Sequence, residues 1–142
     1  MHWVVWSVKL ITAVPGSSAY FQGSVVAYAN SLKTEVLGVS EELLLQHGAV
    51  SDAVAIAMAV GAQRFADWGL AVTGIAGPQG ATETKAVGDV FVAIAPPDRE
   101  PFAIAFHFGD GRTGNQPAQG HREWIRWLSA QTALNSLRLA LL

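Results

Sequence analysis

The sequence predicts a single α/β domain, and three observations carry that prediction. Segments with helical spacing of apolar residues alternate with short apolar runs of strand character. Turn-forming Pro, Gly, Ser and Asn stand between them. No internal repeat or linker divides the 142 residues, and 51% of them are apolar, so one core spanning residues 1–142 is expected. A chain of this size buries roughly 70% of the surface that it exposes when unfolded.

The elements follow in order. Met1–Ala13 is apolar on nearly every face, which fits a buried helix or a strand. It has the apolarity of a short signal sequence, but Lys9 interrupts it and Pro15-Gly16 follows without an A-x-A site. Pro15–Ser18 reads as a turn, with Ser17 or Ser18 capping a short helix to Phe21. Ser24–Tyr28 reads as a strand. Asn30 reads as the N-cap of a helix over Ser31–Leu37 that Gly38 stops. Ser40 starts another short helix, whose first-turn Glu41 and Glu42 suit the helix dipole.

Ser51 caps the long central helix Asp52–Ala66, whose apolar residues cover most of its circumference and imply burial on more than one side. Leu70–Thr73 is a continuous apolar run suited to an interior strand. A glycine-containing loop, Gly74–Gly88, leads to strands Asp89–Ala95 and Pro101–Phe108, joined as a hairpin through Pro96-Pro97-Asp98. Gly109–Gly120 is polar and loop-like. The last helix, His121–Leu141, places Trp127, Ala130, Leu134, Leu137 and Leu141 on one stripe.

Composition excludes several functions. Charged residues are 14% and the net charge is −2, so the basic stripe of a phosphate-neutralising nucleic-acid binder is missing. The chain has no cysteine, which removes disulfides, thiolate metal sites and a thiol nucleophile. No apolar stretch reaches the ~18 residues that cross a bilayer, and an intracellular, cytoplasmic protein is the default reading. Gly109–Gly114 matches Gly-x-Gly-x-x-Gly, but Pro117 and Gly120 follow where a dinucleotide fingerprint opens a helix; a surface loop fits better. His2, His47, His107 and His121 lack ligand spacing, His107-x-x-Asp110 being the one near pair. Trp3, Trp6, Trp68, Trp124 and Trp127 read as core and helix-packing residues. No metal and no cofactor are expected.

The segment Pro15–Lys33 brings two serines, Tyr28 and Lys33 together in a chain with only three lysines. A serine hydroxyl is a weak nucleophile until a base takes its proton. A lysine serves as that base once desolvation lowers its pKa, and a tyrosine hydroxyl can relay the proton. Spacing alone leaves the plainer reading open, helix caps and a solvated lysine.

Five motifs occur in order: Val14–Phe21, Tyr28-Ala29-Asn30-x-x-Lys33, Leu37-Gly38-Val39, Gly48–Ser51 and Thr73–Pro78. Together they resemble the CinA-type C-terminal domain, a competence/damage-inducible family whose stand-alone members are nicotinamide-nucleotide amidases. The resemblance covers about residues 8 to 137. It implies an α/β fold with a mixed β-sheet and helices on both faces. It also implies an amidohydrolase that converts nicotinamide mononucleotide to nicotinic acid mononucleotide and ammonia. By motif position the catalytic residues are Ser18, Tyr28 and Lys33, with Ser17 the alternative nucleophile. Ser17, Asn30, Thr73, Gly74, Gly77 and Arg122 are implied to bind substrate. Arg122, in the Gly120-His121-Arg122 match to the family's Gly-x-Arg, is implied to clamp phosphate.

The chain departs from the family in three places. Members begin with a strand and a Glu-Ser-Cys-Thr-Gly-Gly motif; this sequence starts inside the following helix, with Met1–Val8 in the motif's place. The resemblance therefore implies a missing first strand and an open sheet edge, which a homodimer would cover. The family's Glu-Lys-Pro-Val-Gly appears as Thr84-Lys85-Ala86-Val87-Gly88, and Gly109–Gln119 is long. Two further readings follow from the departures: a non-catalytic nucleotide-binding or assembly remnant, and a misassigned start codon.

Overall fold

The computed structural model describes residues 3–109 and 118–142, with side chains in the second segment described from His121 onward. Asp110 and the rest of the glycine-rich stretch after Gly109 lie outside the described residues, as do Met1 and His2.

Local signals fix most helix ends. Helix α1 spans Trp3–Thr12 and leads to a 3-10 turn at Ser17–Ala19. Helix α2, Asn30–Leu37, stops at Gly38, whose φ of 70° favours glycine. Ser40 caps α3, Glu41–His47, by accepting from Leu43 N–H at 3.1 Å. Ser51 caps α4, Asp52–Gln63, through Val54 N–H at 3.3 Å. Strands β1 (Gly69–Gly74), β2 (Asp89–Ala95) and β3 (Phe102–His107) form an antiparallel meander, and α5 is Ala118–Ala140.

Side-chain alternation along the strands builds three layers. Ala71, Phe91, Ala93, Ala95 and Ala103 face α4, where Val54, Ala55, Met58 and Ala59 complete one core. Leu70, Val72, Val90, Val92 and Phe106 face the other way, toward Trp3 of α1 and Ile125 and Ala133 of α5. The alanine face lets α4 lie close to the sheet: a Cβ on Gly69 would stand 2.0 Å from the Ala59 carbonyl oxygen. The expected helices on both faces are present. The three described strands all run antiparallel, so the parallel pairing of a mixed sheet is not among the described residues.

Several expectations are corrected. Ser24–Tyr28 is not a strand; no ladder partner lies beside it among the described residues, although Ala27 is buried in the α4 core. Strand propensity is realised only where a neighbour supplies hydrogen bonds. Asn30 is the first residue of α2 and not its cap; Ala29 holds the cap position with no side-chain bond. Likewise Gly16, at φ 83°, takes the cap position before Ser17. Helix α4 ends at Gln63, where i→i+3 bonds from Arg64 and Phe65 replace the helical ladder.

The buried stripe of α5 is also displaced. Ile125, Ser129, Ala130 and Ala133 are buried, whereas Trp127 and Leu141 are exposed. Ser129 and Ser136 enter the interface because their hydroxyls donate to Ile125 and Thr132 carbonyls at 2.6 and 2.8 Å. Ser7 does the same for α1, donating to Trp3 O at 3.0 Å. The buried serines of α1 and α5 thus satisfy their hydroxyls within their own helices. Of the tryptophans, Trp3 is core. Trp124 and Trp127 are exposed and stacked on each other at 5.2 Å, while Lys9 and Arg99 cover Trp6 and Trp68.

Gly61→Ala tests how α2 is seated on α4. Alanine has the better helix propensity by about 1 kcal/mol. Its Cβ, however, would lie 2.0 Å from the Leu37 carbonyl oxygen. The clash is the larger effect, so the variant loses roughly 2 kcal/mol and about 4–8 °C in Tm by calorimetry. An unchanged or higher Tm contradicts this packing.

Candidate active site

Lys33 is a buried lysine on α2. It shares the inner face of α2 with Leu37, one turn on, and is 1% exposed. Its Nζ donates to Asn30 Oδ1 at 3.3 Å and to the Tyr28 carbonyl at 3.4 Å. Burial lowers its pKa from 10.5. The charged residues on α2 and on α4 packed against it are Lys33 itself, Glu35 and Asp52, with Arg64 at the α4 end, and none of the others hydrogen-bonds to Nζ. Arg64 turns away to the Val36 carbonyl at the far end of α2.

The serines sit on the 3-10 turn that follows α1. Ala19 N–H donates to Gly16 O at 3.0 Å, and Tyr20 and Phe21 N–H donate to Ser17 O at 3.1 and 2.8 Å. These bonds hold Ser17 half-buried and Ser18 exposed. The Tyr28 side chain is also exposed, so its main-chain carbonyl, rather than its hydroxyl, meets Lys33. Among the described residues no hydrogen bond joins the Ser17, Ser18 or Tyr28 hydroxyl to Lys33.

A second group of sequence-predicted residues gathers at and just beyond the end of β1. Thr73 is buried and its Oγ1 donates to the Ala49 carbonyl at 2.7 Å. Gly74 is pressed against β2; a Cβ there would stand 2.7 Å from Asp89 O. Gly77, at φ 73°, accepts from Arg122 Nη1 at 2.7 Å, which brings α5 to the glycine turn. Lys85 joins this group by donating from Nζ to the Val50 carbonyl, and its ammonium lies 5.0 Å from the Phe91 ring centre. Thr73 and Lys85 thus fasten the segment that precedes α4.

His107 pairs with Asp89, at 2.7 Å; Asp110, its near neighbour in the sequence, lies outside the described residues. The hairpin register sets Asp89 opposite His107, a signal available once the turn is placed near Asp98. Burial pushes the Asp89 carboxyl up, but the Ala86 N–H, the His107 contact and the His107 and Lys85 charges together hold it below its usual value. Among the described residues no group of three or more His, Asp or Glu is placed to hold a metal ion. Among the same residues no helix is long and apolar enough to cross a membrane.

These features define an α/β domain of three layers, with a buried, desolvated lysine on a short helix and a serine-bearing turn ahead of it in the chain. The chain belongs to the CinA C-terminal domain family, whose pattern matches residues 7–141. It is 48% identical over 136 residues to a CinA-like protein of Nostoc sp. (strain PCC 7120), covering 94% of this chain and 32% of that protein. A CinA-like protein of Anaeromyxobacter sp. (strain K) is 49% identical over 136 residues, covering 94% and 30%. The chain therefore spans about a third of the length of these curated relatives. A crystal structure of a competence/damage-inducible protein from Agrobacterium tumefaciens superposes with a TM-score of 0.85 at 34% identity, covering 96% of this chain and 79% of that one. A CinA superfamily protein of Escherichia coli gives 0.83 at 27% identity, covering 99% and 76%.

Proposed function

We propose that the domain is a nicotinamide-nucleotide amidase, which hydrolyses the carboxamide of nicotinamide mononucleotide to the carboxylate and ammonia. The observation that carries this reading is the buried Lys33 amine with its lowered pKa. Burial shifts the balance toward the neutral amine, the form that can accept a proton. Family membership supports the choice of substrate.

In this mechanism Lys33 Nζ takes the Ser18 proton, directly or through Tyr28, as Ser18 Oγ bonds to the carboxamide carbon. The Ser18 main-chain N–H, the one in the Ser17–Ala19 turn without a backbone acceptor among the described residues, holds the oxyanion, a contact worth roughly 3 kcal/mol. The Lys33 ammonium then protonates the amine nitrogen, the C–N bond breaks and ammonia leaves. Water attacks the acyl-enzyme while Lys33 accepts its proton; the C–Oγ bond breaks and Ser18 recovers a proton. Arg122, with the Thr73, Gly74 and Gly77 backbone, receives the nucleotide phosphate, and Ser17 lines the approach.

Ammonia release from nicotinamide mononucleotide tests this reading. Ser18→Ala and Lys33→Ala each lower kcat/KM by at least about a hundredfold. The base must be unprotonated, and its folded pKa lies below 10.5. The rate therefore falls about tenfold per pH unit below that pKa and levels off above it. Full activity in Lys33→Ala, or no turnover by well-folded protein, rejects the amidase.

A second reading, a non-catalytic nucleotide-binding or assembly module, is favoured by one observation: no hydrogen bond links either serine hydroxyl to Lys33 among the described residues. Calorimetric binding of the nucleotide without ammonia release identifies it. Both readings include a cytoplasmic homodimer. The outer edge of β3, with Ile104, Ala105 and His107 exposed, supports pairing with a second copy. Sedimentation velocity is expected to show a dimer, and a monomer at all concentrations removes this part.

A further inference from the structure

The hydrogen bonds around Lys33 assign Asn30 a task other than contact with substrate. A neutral primary amine has two N–H donors and one lone pair; an ammonium has three donors and none. Lys33 Nζ meets two acceptors, Asn30 Oδ1 at 3.3 Å and Tyr28 O at 3.4 Å. Two donors and two acceptors balance for the neutral amine. Among the described residues, an ammonium would have no acceptor for its third N–H, on a side chain that is 1% exposed.

We propose that Asn30 is a positioning residue for Lys33: its side-chain oxygen and the Tyr28 carbonyl occupy both N–H bonds of the amine and aim the lone pair along the one remaining direction. This rests on the reading of Lys33 as the base. Helix α2 makes the contact possible, because residues three apart share a face. Its start matters as well. Were Asn30 the N-cap, its oxygen would bond a main-chain N–H of the first turn; with Ala29 in that position the oxygen is free for Nζ. An uncharged acceptor is required here, since an aspartate would form an ion pair with Lys33 and hold the proton on it.

The experiment uses the full chain with 13C-labelled lysine, and follows the Cε resonances of Lys9, Lys33 and Lys85 through a pH titration. Asn30 is exposed, so its variants are expected to fold. Asn30→Asp raises the Lys33 midpoint by about one pH unit or more, tenfold in proton affinity. Asn30→Ala lowers it, and Lys9 and Lys85 stay put in both. A purely structural residue moves none of the three, and an unmoved Lys33 midpoint in both variants overturns the proposal. Kinetics add a second readout: in Asn30→Ala, kcat falls at least about tenfold with KM within twofold. A raised KM at unchanged kcat overturns the proposal and returns Asn30 to substrate binding. If the wild type turns nothing over while the Lys33 midpoint shifts as stated, the amidase falls and the Asn30–Lys33 pairing stands.

Discussion

The domain is organised around the burial of one amine. Taking the Lys33 side chain out of water disfavours its charged form, and the lowering of its pKa has that single cause. A lysine in such a place is a burden on folding unless its donors are met. Here they are met by a carbonyl and an amide oxygen, neither of which carries charge. An acidic partner would have held the proton on Lys33 and left no free amine to accept one at neutral pH.

That arrangement depends on packing well away from the amine. Helix α2 can bury Lys33 only because its other inner residue, Leu37, is drawn against α4 at Gly61, where no side chain intervenes. Helix α4 in turn lies on a sheet face made largely of alanine, so backbone approaches backbone through two successive contacts. The opposite face of the sheet uses larger side chains, Val72, Val90 and Val92, to carry α5. Arg122 on α5 reaches the Gly77 carbonyl, so both faces contribute to the loops where β1 ends. The serine turn is attached differently, through α1 and its own local hydrogen bonds.

What could be read from the chain was whatever a few neighbouring residues decide. Ser40 and Ser51 cap their helices, Gly38 ends α2, and β2 runs from Asp89 to Ala95, because each depends on local geometry. Ser24–Tyr28 has the right residues for a strand, but a strand is a property of a pair. The inner face of α5 was hidden because serines that bond to their own helix behave as small apolar residues, and hydropathy counts them as polar. In the site, the rarity of lysine and the family motif drew attention to Lys33. Its lying one turn before Leu37 was the available sign of burial. The choice of Ala29 over Asn30 as cap could not be read, since Asn is the stronger capping residue in isolation and only the buried amine draws its oxygen elsewhere. The link from His107 to Asp89 needed the hairpin register as well as the residues.

Neutron diffraction from deuterium-exchanged crystals at neutral pH counts the deuterons on Lys33 Nζ and so shows whether the buried amine is neutral. A neutral amine carries two, one directed at Asn30 Oδ1 and one at the Tyr28 carbonyl. Three deuterons, with the nitrogen fully charged inside the fold, would contradict that neutrality.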